Sequence, residues 1–273
     1  MKITKLHFTL LFLAIGTLSS AQTSVSPYEW DWKIDGPWLG VGLGGTAGGL
    51  LTIQNKNRFT ETELNILNKD DVFFVDRWSA GYSSERASTL SDYPFYSSFA
   101  VPFVLLLDGK VNDHTAQVMG LYIESLSTTS AMFTLTAGLV NRTRPLVYSD
   151  EVGLGEKMRN TNRRSFYSGH VAASATAMFF AAKVFSDFNP DSKLKPYFWT
   201  AAFTVPAVVG YFRIRAGKHF LTDVVLGYTL GALTGYLVPE LHRKKNHSIQ
   251  LSPSASRTPL GDNVKGIRCS LSF

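Results

Sequence analysis

The chain has one cysteine, Cys269, in 273 residues. That excludes an internal disulfide and any metal cluster built on cysteine. Charged residues are also sparse, at 18%, and the mean hydropathy is only +0.02. Most apolar stretches fall short of the roughly 20 residues that cross a bilayer cleanly. No internal repeat, nucleic-acid module or continuous basic stripe is present, so nucleic acid is not an expected partner. What the chain does have is apolar and aromatic content, 45% and 13%, which excludes global disorder. Its net charge is +6 and its pI is near 9.3. That balance suits an anionic partner such as phosphate or an acidic lipid surface, and it also serves solubility alone.

The N-terminus reads as an export signal. Lys2 and Lys5 precede a mostly apolar stretch at 6–18, and Ser19-Ser20-Ala21 supplies the small residues at which a signal peptidase cuts. An uncleaved anchor is the alternative. Residues 1–21 are therefore expected to be a signal peptide. Residues 22–91 hold a Gly-rich apolar segment and an amphipathic region, 92–241 a helical core, and 242–273 a polar tail.

Five or six apolar helical segments succeed one another. Residues 38–53 carry six glycines and read as a tightly packed or re-entrant helix. Asn68 is a candidate cap for a helix starting at Lys69-Asp70-Asp71. Further apolar segments lie at 95–107, 116–140, 171–185, 197–212 and 220–238. In the last, Gly227, Gly231 and Gly235 repeat every fourth residue and make one helix face open to close approach. The expected fold is an all-α bundle, membrane-embedded in the preferred reading, with a soluble exported bundle as the alternative. His242-Arg243-Lys244-Lys245 is a basic stop expected on the cytoplasmic side. Counting spans back from it puts Arg144, Ser168-Gly169-His170 and His219 on one exported face. The parity closes only if one early segment, residues 38–53, does not cross fully.

Three polar clusters interrupt the apolar second half: Arg144-Pro145, Ser168-Gly169-His170, and Arg213 with His219 and Asp223. His219 and Asp223 lie four apart at a helix start, hence on one face. A carboxylate on one imidazole nitrogen would fix the tautomer and free the other nitrogen as nucleophile. Ser168-Gly169-His170 opens a helix, where backbone N–H groups point at anions. Gly169 admits close approach, and His170 is placed to protonate a leaving oxygen. Arg144 and Arg213 offer planar forks for phosphate oxygens. Each cluster alone has a plainer reading. Ser168 fits a helix cap, His219–Asp223 a structural pair, and the arginines fit headgroup anchors. Their conjunction is what argues for a site.

At these residues the chain resembles the phosphatidic-acid phosphatase type 2 superfamily, over roughly residues 93–239. That pattern is Lys-x6-Arg-Pro, then Pro-Ser-Gly-His, then Ser-Arg-x5-His-x3-Asp. The resemblance implies a helical core and metal-independent phosphohydrolysis, with no cofactor, on a lipid phosphate or diphosphate at a membrane. It also implies that His219 is the nucleophile, Asp223 its orienting group and His170 the acid. Arg144, Ser168, Gly169 and Arg213 would bind phosphate. Three positions depart from the pattern: Ala137 stands at the lysine, Tyr167 at the proline and Phe212 at the serine. Arg142, or else Arg163 or Arg164, is expected to replace the lost cation. A soluble periplasmic acid phosphatase, a vanadium haloperoxidase and a non-catalytic lipid-binding protein are the competing readings.

Overall fold

The computed structural model describes residues 25–244, 248–257 and 263–272; the expected signal peptide lies outside them. They fall into two units, Met1–His242 and Arg243–Phe273. The first is a helical bundle with six long helices: α1 (Trp32–Gln54), α2 (Glu85–Ser98), α3 (Thr115–Leu139), α4 (Gly169–Phe188), α5 (Lys195–Arg215) and α6 (Leu221–Leu241). All five apolar segments from residue 95 onward, and residues 38–53, fall within or next to these helices.

The starts obey local chemistry. Asp31 accepts from the Lys33 N–H at 2.9 Å to open α1, and Ser84 accepts from the Ala87 N–H at 3.2 Å to open α2. Asn68 does cap a start, accepting from the Asp70 N–H at 3.0 Å. The helix it opens is a single 3-10 turn, Lys69–Asp71.

α4 is the hub. It packs against α2, α3, α5 and α6, and nearly every residue from Val171 to Phe185 is buried. Its Ala-rich sequence lets neighbours come close, and the glycine face of α6 uses that. A Cβ on Gly227 would stand 2.5 Å from the Ser168 carbonyl oxygen, and one on Gly231 or Gly235 would collide with the Ala172 or Thr176 carbonyl. Thr176 Oγ1 also donates to the Gly231 carbonyl at 3.1 Å. This contact sets the start of α6 beside the start of α4.

Residues 38–53 form part of one unbroken helix rather than a re-entrant loop. α1 lies along α3, and its Gly42 is so near Ser127 that a Cβ would meet Oγ at 2.7 Å. Among the described residues, three helical stretches are long and apolar enough to cross a membrane: Glu85–Leu107, Gly169–Phe188 and Leu221–Leu241. α1 is not among them.

The second unit, in the segment expected as a polar tail, holds two strands. Ser248–Arg257 (β1) and Asn263–Ser272 (β2) pair antiparallel, from Ser248 opposite Ser272 to Arg257 opposite Asn263. The signal was there: Ile249, Leu251, Pro253 and Ala255 alternate with polar residues at the period of a strand.

Candidate active site

The connector between α3 and α4 brings the arginines together. Its backbone closes on itself in an isolated parallel bridge between Arg142 and Arg164. Arg142 N–H donates to the Arg163 carbonyl at 2.8 Å, Arg144 N–H to the Asn162 carbonyl at 2.9 Å, and Ser165 N–H to the Arg142 carbonyl at 2.9 Å. Arg163 ends the 3-10 turn Asn160–Arg163 and Arg164 follows it, and the three candidate replacements for the lost cation meet different partners.

Arg163 turns outward. It donates to Glu63 Oε1 at 2.6 Å and lies 3.9 Å over the Phe59 ring. Arg142, expected as a phosphate ligand, is engaged by other groups and is not in the lining of the cavity that holds Arg144 and Arg213. Its Nη2 donates to Asp76 Oδ2 at 2.6 Å, its Nη1 pairs with Asp223 Oδ1, and its guanidinium lies 4.8 Å over Phe220. Two buried carboxylates thus consume its charge. Arg164 has no carboxylate partner among the described residues, and its Nε is buried without a hydrogen bond.

Arg164 lines a cavity of about 420 Å³ together with Arg144, Arg213, His170, His219 and Gly169. The lining also includes Phe95, Phe99, Leu126, Phe133 and Ala173. The cavity thus offers cations for an anion and apolar surface for hydrocarbon. Nε of Arg144, of Arg164 and of Arg213 all lack a hydrogen-bond partner, as does Ser168 Oγ. Buried donors are rarely left so, and three guanidinium groups at one cavity match an anion with several oxygens. Burial, then the charges of Arg213 and Arg164, push Arg144 down to about 9, which leaves it charged at neutral pH.

Ser168 stands at the cap position of α4, yet its hydroxyl caps nothing. The plain cap reading therefore fails in this structure. Gly169 serves a purpose other than the expected one: a Cβ there would lie 2.7 Å from the Phe133 ring, so the glycine makes room for the aromatic wall. His170 stacks on Phe95 with centroids 4.2 Å apart, and its Nε2 is 3.9 Å from Asp92 Oδ1.

His219 is buried and does not pair with Asp223. Its Nδ1 lies 2.6 Å from the Ser165 carbonyl oxygen. A carbonyl only accepts, so Nδ1 carries the proton and the Nε2 lone pair is left free. Asp223 acts one step back. It accepts from the Ser165 hydroxyl at 2.6 Å and from the Phe220 N–H at 2.9 Å, fixing the segment that presents the carbonyl. Burial, then Arg213 and Arg144, hold the His219 pKa well below the usual histidine range. A turn at Gly217, whose φ of +66° suits glycine, carries the chain from α5 to His219.

Asp76 and Ser165 were not expected. Asp76 is fully buried and accepts from the Thr222 N–H at 3.0 Å, tying the α1–α2 region to the start of α6. An isolated aspartate in a polar stretch gives no sequence signal of that. Ser165 differs: a hydroxyl three residues before Ser168 lay within the motif region. Ala137 is buried and continues the line of Leu126, Ser130 and Phe133 at helical spacing on the wall that α3 gives the cavity.

Residues 119–247 match the family model described as the PAP2 superfamily. Over those residues the chain is similar to the PAP2 superfamily. A protein from Porphyromonas gingivalis named Lipid A 4'-phosphatase is 32% identical over 77 residues, which is 28% of this chain and 29% of that protein. The chain thus matches less than a third of that relative's length. The crystal structure of Aquifex aeolicus LpxE aligns with 62% of this chain and 98% of its own, at 22% identity and a TM-score of 0.42.

Proposed function

We propose that this chain is a membrane phosphohydrolase that removes phosphate from a lipid phosphate or diphosphate through a phosphohistidine at His219. One observation carries the reading. Three arginines with unpaired Nε atoms share a cavity with His219 and with Phe95, Phe99 and Phe133. A phosphate attached to an acyl or isoprenoid chain has that division of polarity. The apolar stretches that include α2, α4 and α6 support a site reached from a bilayer, with its mouth on the exported face.

In this mechanism Nε2 of His219 attacks phosphorus. The positive charge that develops on the imidazole is stabilised through Nδ1–H by the Ser165 carbonyl, held in turn by Asp223. Arg144, Arg164, Arg213 and the Ser168 hydroxyl hold the phosphoryl oxygens, where positioning and charge do most of the catalytic work. His170 gives its proton to the leaving alkoxide or phosphate oxygen. Water then attacks the phosphohistidine, with His170 as base, and His219 is regenerated. Arg164 takes the part of the cation missing at Ala137, which weakens the reading of a degenerate, non-catalytic protein. The chemistry needs no metal at this site.

The substrate class comes from the cavity and the headgroup from assay. The 32% identity to a Lipid A 4'-phosphatase makes lipid A phosphates the first substrates to try, beside phosphatidic acid, phosphatidylglycerol phosphate and undecaprenyl diphosphate. Protein purified in detergent is expected to release phosphate from at least one of these with chelator present, and His219→Ala to release none. An acid-labile, phosphate-labelled protein should be trapped by rapid quench. Wild type indistinguishable from His219→Ala on the whole panel would overturn the proposal.

A further inference from the structure

A second cluster of buried ionisable groups stands at the other end of α6 from His219, about 30 Å away for a helix of that length. It joins Asp35 of α1, Glu124 of α3 and His242 at the end of α6. Asp35 and Glu124 are almost wholly buried, and their ligand atoms and that of His242 lie within 4.8 Å of one another. His242 Nε2 is 3.0 Å from Asp35 Oδ1 and 3.7 Å from Glu124 Oε2. Neither carboxylate pairs with a lysine or arginine among the described residues.

The histidine is set as a metal-binding histidine is set. Its Nδ1 lies 2.7 Å from the Val238 carbonyl, so Nδ1 carries a proton and the lone pair of the neutral ring is on Nε2. Such an outer hydrogen bond is what orients most metal-bound histidines. Asp35 is similarly committed: its Oδ2 accepts from the Asp31 N–H at 2.8 Å, which aims Oδ1 at His242. Glu124 Oε2 has no hydrogen bond although it is buried. A proton on Nε2 would serve Asp35 and leave Glu124 unsatisfied. A cation among the three serves all of them. With metal–ligand bonds of about 2.0–2.2 Å the edges of a tetrahedron measure about 3.3–3.6 Å, and the observed 3.0 and 3.7 Å bracket that span. Trp30 Nε1, also without an acceptor, belongs to a ring stacked on His242 and offers a donor to a metal-bound water.

We infer that Asp35, Glu124 and His242 form a structural site for a divalent first-row metal ion, zinc by its one-imidazole, two-carboxylate donor set. The site would clamp α1, α3 and the end of α6 together and take no part in the chemistry at His219. Full-length protein in detergent, stripped by chelator and reloaded with zinc chloride, is expected to carry about one zinc per chain by elemental mass spectrometry. Glu124→Gln should carry less than a tenth of that. Chelator should lower the melting temperature of wild type and leave that of Glu124→Gln unchanged. Should Glu124→Gln fail to fold, cobalt loading of stripped wild type decides the matter: a visible absorption band of four- or five-coordinate cobalt is expected. Wild type that binds no more zinc than the variant, or that gains no cobalt band, would overturn the site and leave His242 as an imidazolium between two carboxylates.

Discussion

Arg142 and Arg164 are paired in an isolated backbone bridge of the connector and should fail in opposite ways. Arg164 has no ion-pair partner among the described residues, so truncating it strands no carboxylate. Its loss removes one cationic donor from the phosphoryl group, worth about 2.7–4 kcal/mol in the transition state, or roughly 10²–10³ in kcat. Arg142 sits between Asp76 and Asp223, both fully buried. Truncating it strands two carboxylates, at a cost of about 3–5 kcal/mol to folding. Arg164→Ala should therefore melt within a few degrees of wild type in detergent and lose phosphate release a hundredfold or more. Arg142→Ala should lose its cooperative melt or shift it sharply downward. Circular dichroism melts and steady-state phosphate release on the same preparations read both. Ala137→Lys in the Arg164→Ala background should recover part of the lost kcat. Arg164→Ala with activity within threefold of wild type, or a melt as damaged as that of Arg142→Ala, would refute the assignment.

Three other perturbations probe the same geometry. Ser165→Ala removes a hydrogen bond to the Asp223 carboxylate at 2.6 Å, worth about 1.5–3 kcal/mol; kcat should fall roughly tenfold or more while His219 still forms phosphohistidine in a quench. Gly231→Val drives a side chain into the Ala172 carbonyl, so the melting temperature should drop by an amount matching about 1–3 kcal/mol or more. The lowered pKa of His219 keeps the nucleophile neutral, so the acid limb of kcat/KM should carry no His219 inflection near the ordinary histidine value of about 6.5. The same group bears on stability. Below about 6.5 the unfolded chain binds a proton there that the folded chain refuses, so stability falls as pH is lowered, with a slope approaching about 1.4 kcal/mol per pH unit. Chemical denaturation at two pH values, one on either side of that point, should show a smaller difference for His219→Asn.

The helices were legible because their apolar lengths and glycine spacing are local properties. Gly227, Gly231 and Gly235 announced a close face, and the Ala-rich segment after His170 was the partner that could accept it. The hairpin at Ser248–Ser272 was missed although Ile249, Leu251, Pro253 and Ala255 alternate with polar residues, because the serine-rich composition was read ahead of the period. The pairing of Asp223 with His219 was expected from their spacing of four. Instead the short loop before α6 turns Asp223 back onto the Phe220 N–H, where it caps the helix, and the imidazole meets the Ser165 carbonyl.

Along the chain alone one reads an inventory: an apolar helical protein, a histidine in each of two polar clusters, a Ser-Gly turn, several connector arginines, and the order in which they occur. Each of these is a property of residues near one another in sequence. Which arginine faces the cavity is a property of the folded chain. Arg142, Arg163 and Arg164 are equivalent as sequence, and the parallel backbone pairing of the connector sends one to Asp76 and Asp223, one to Glu63 and one to the cavity. The division arises because a guanidinium's role is set by the charge it meets, and Asp76, distant in sequence, was the charge that claimed Arg142.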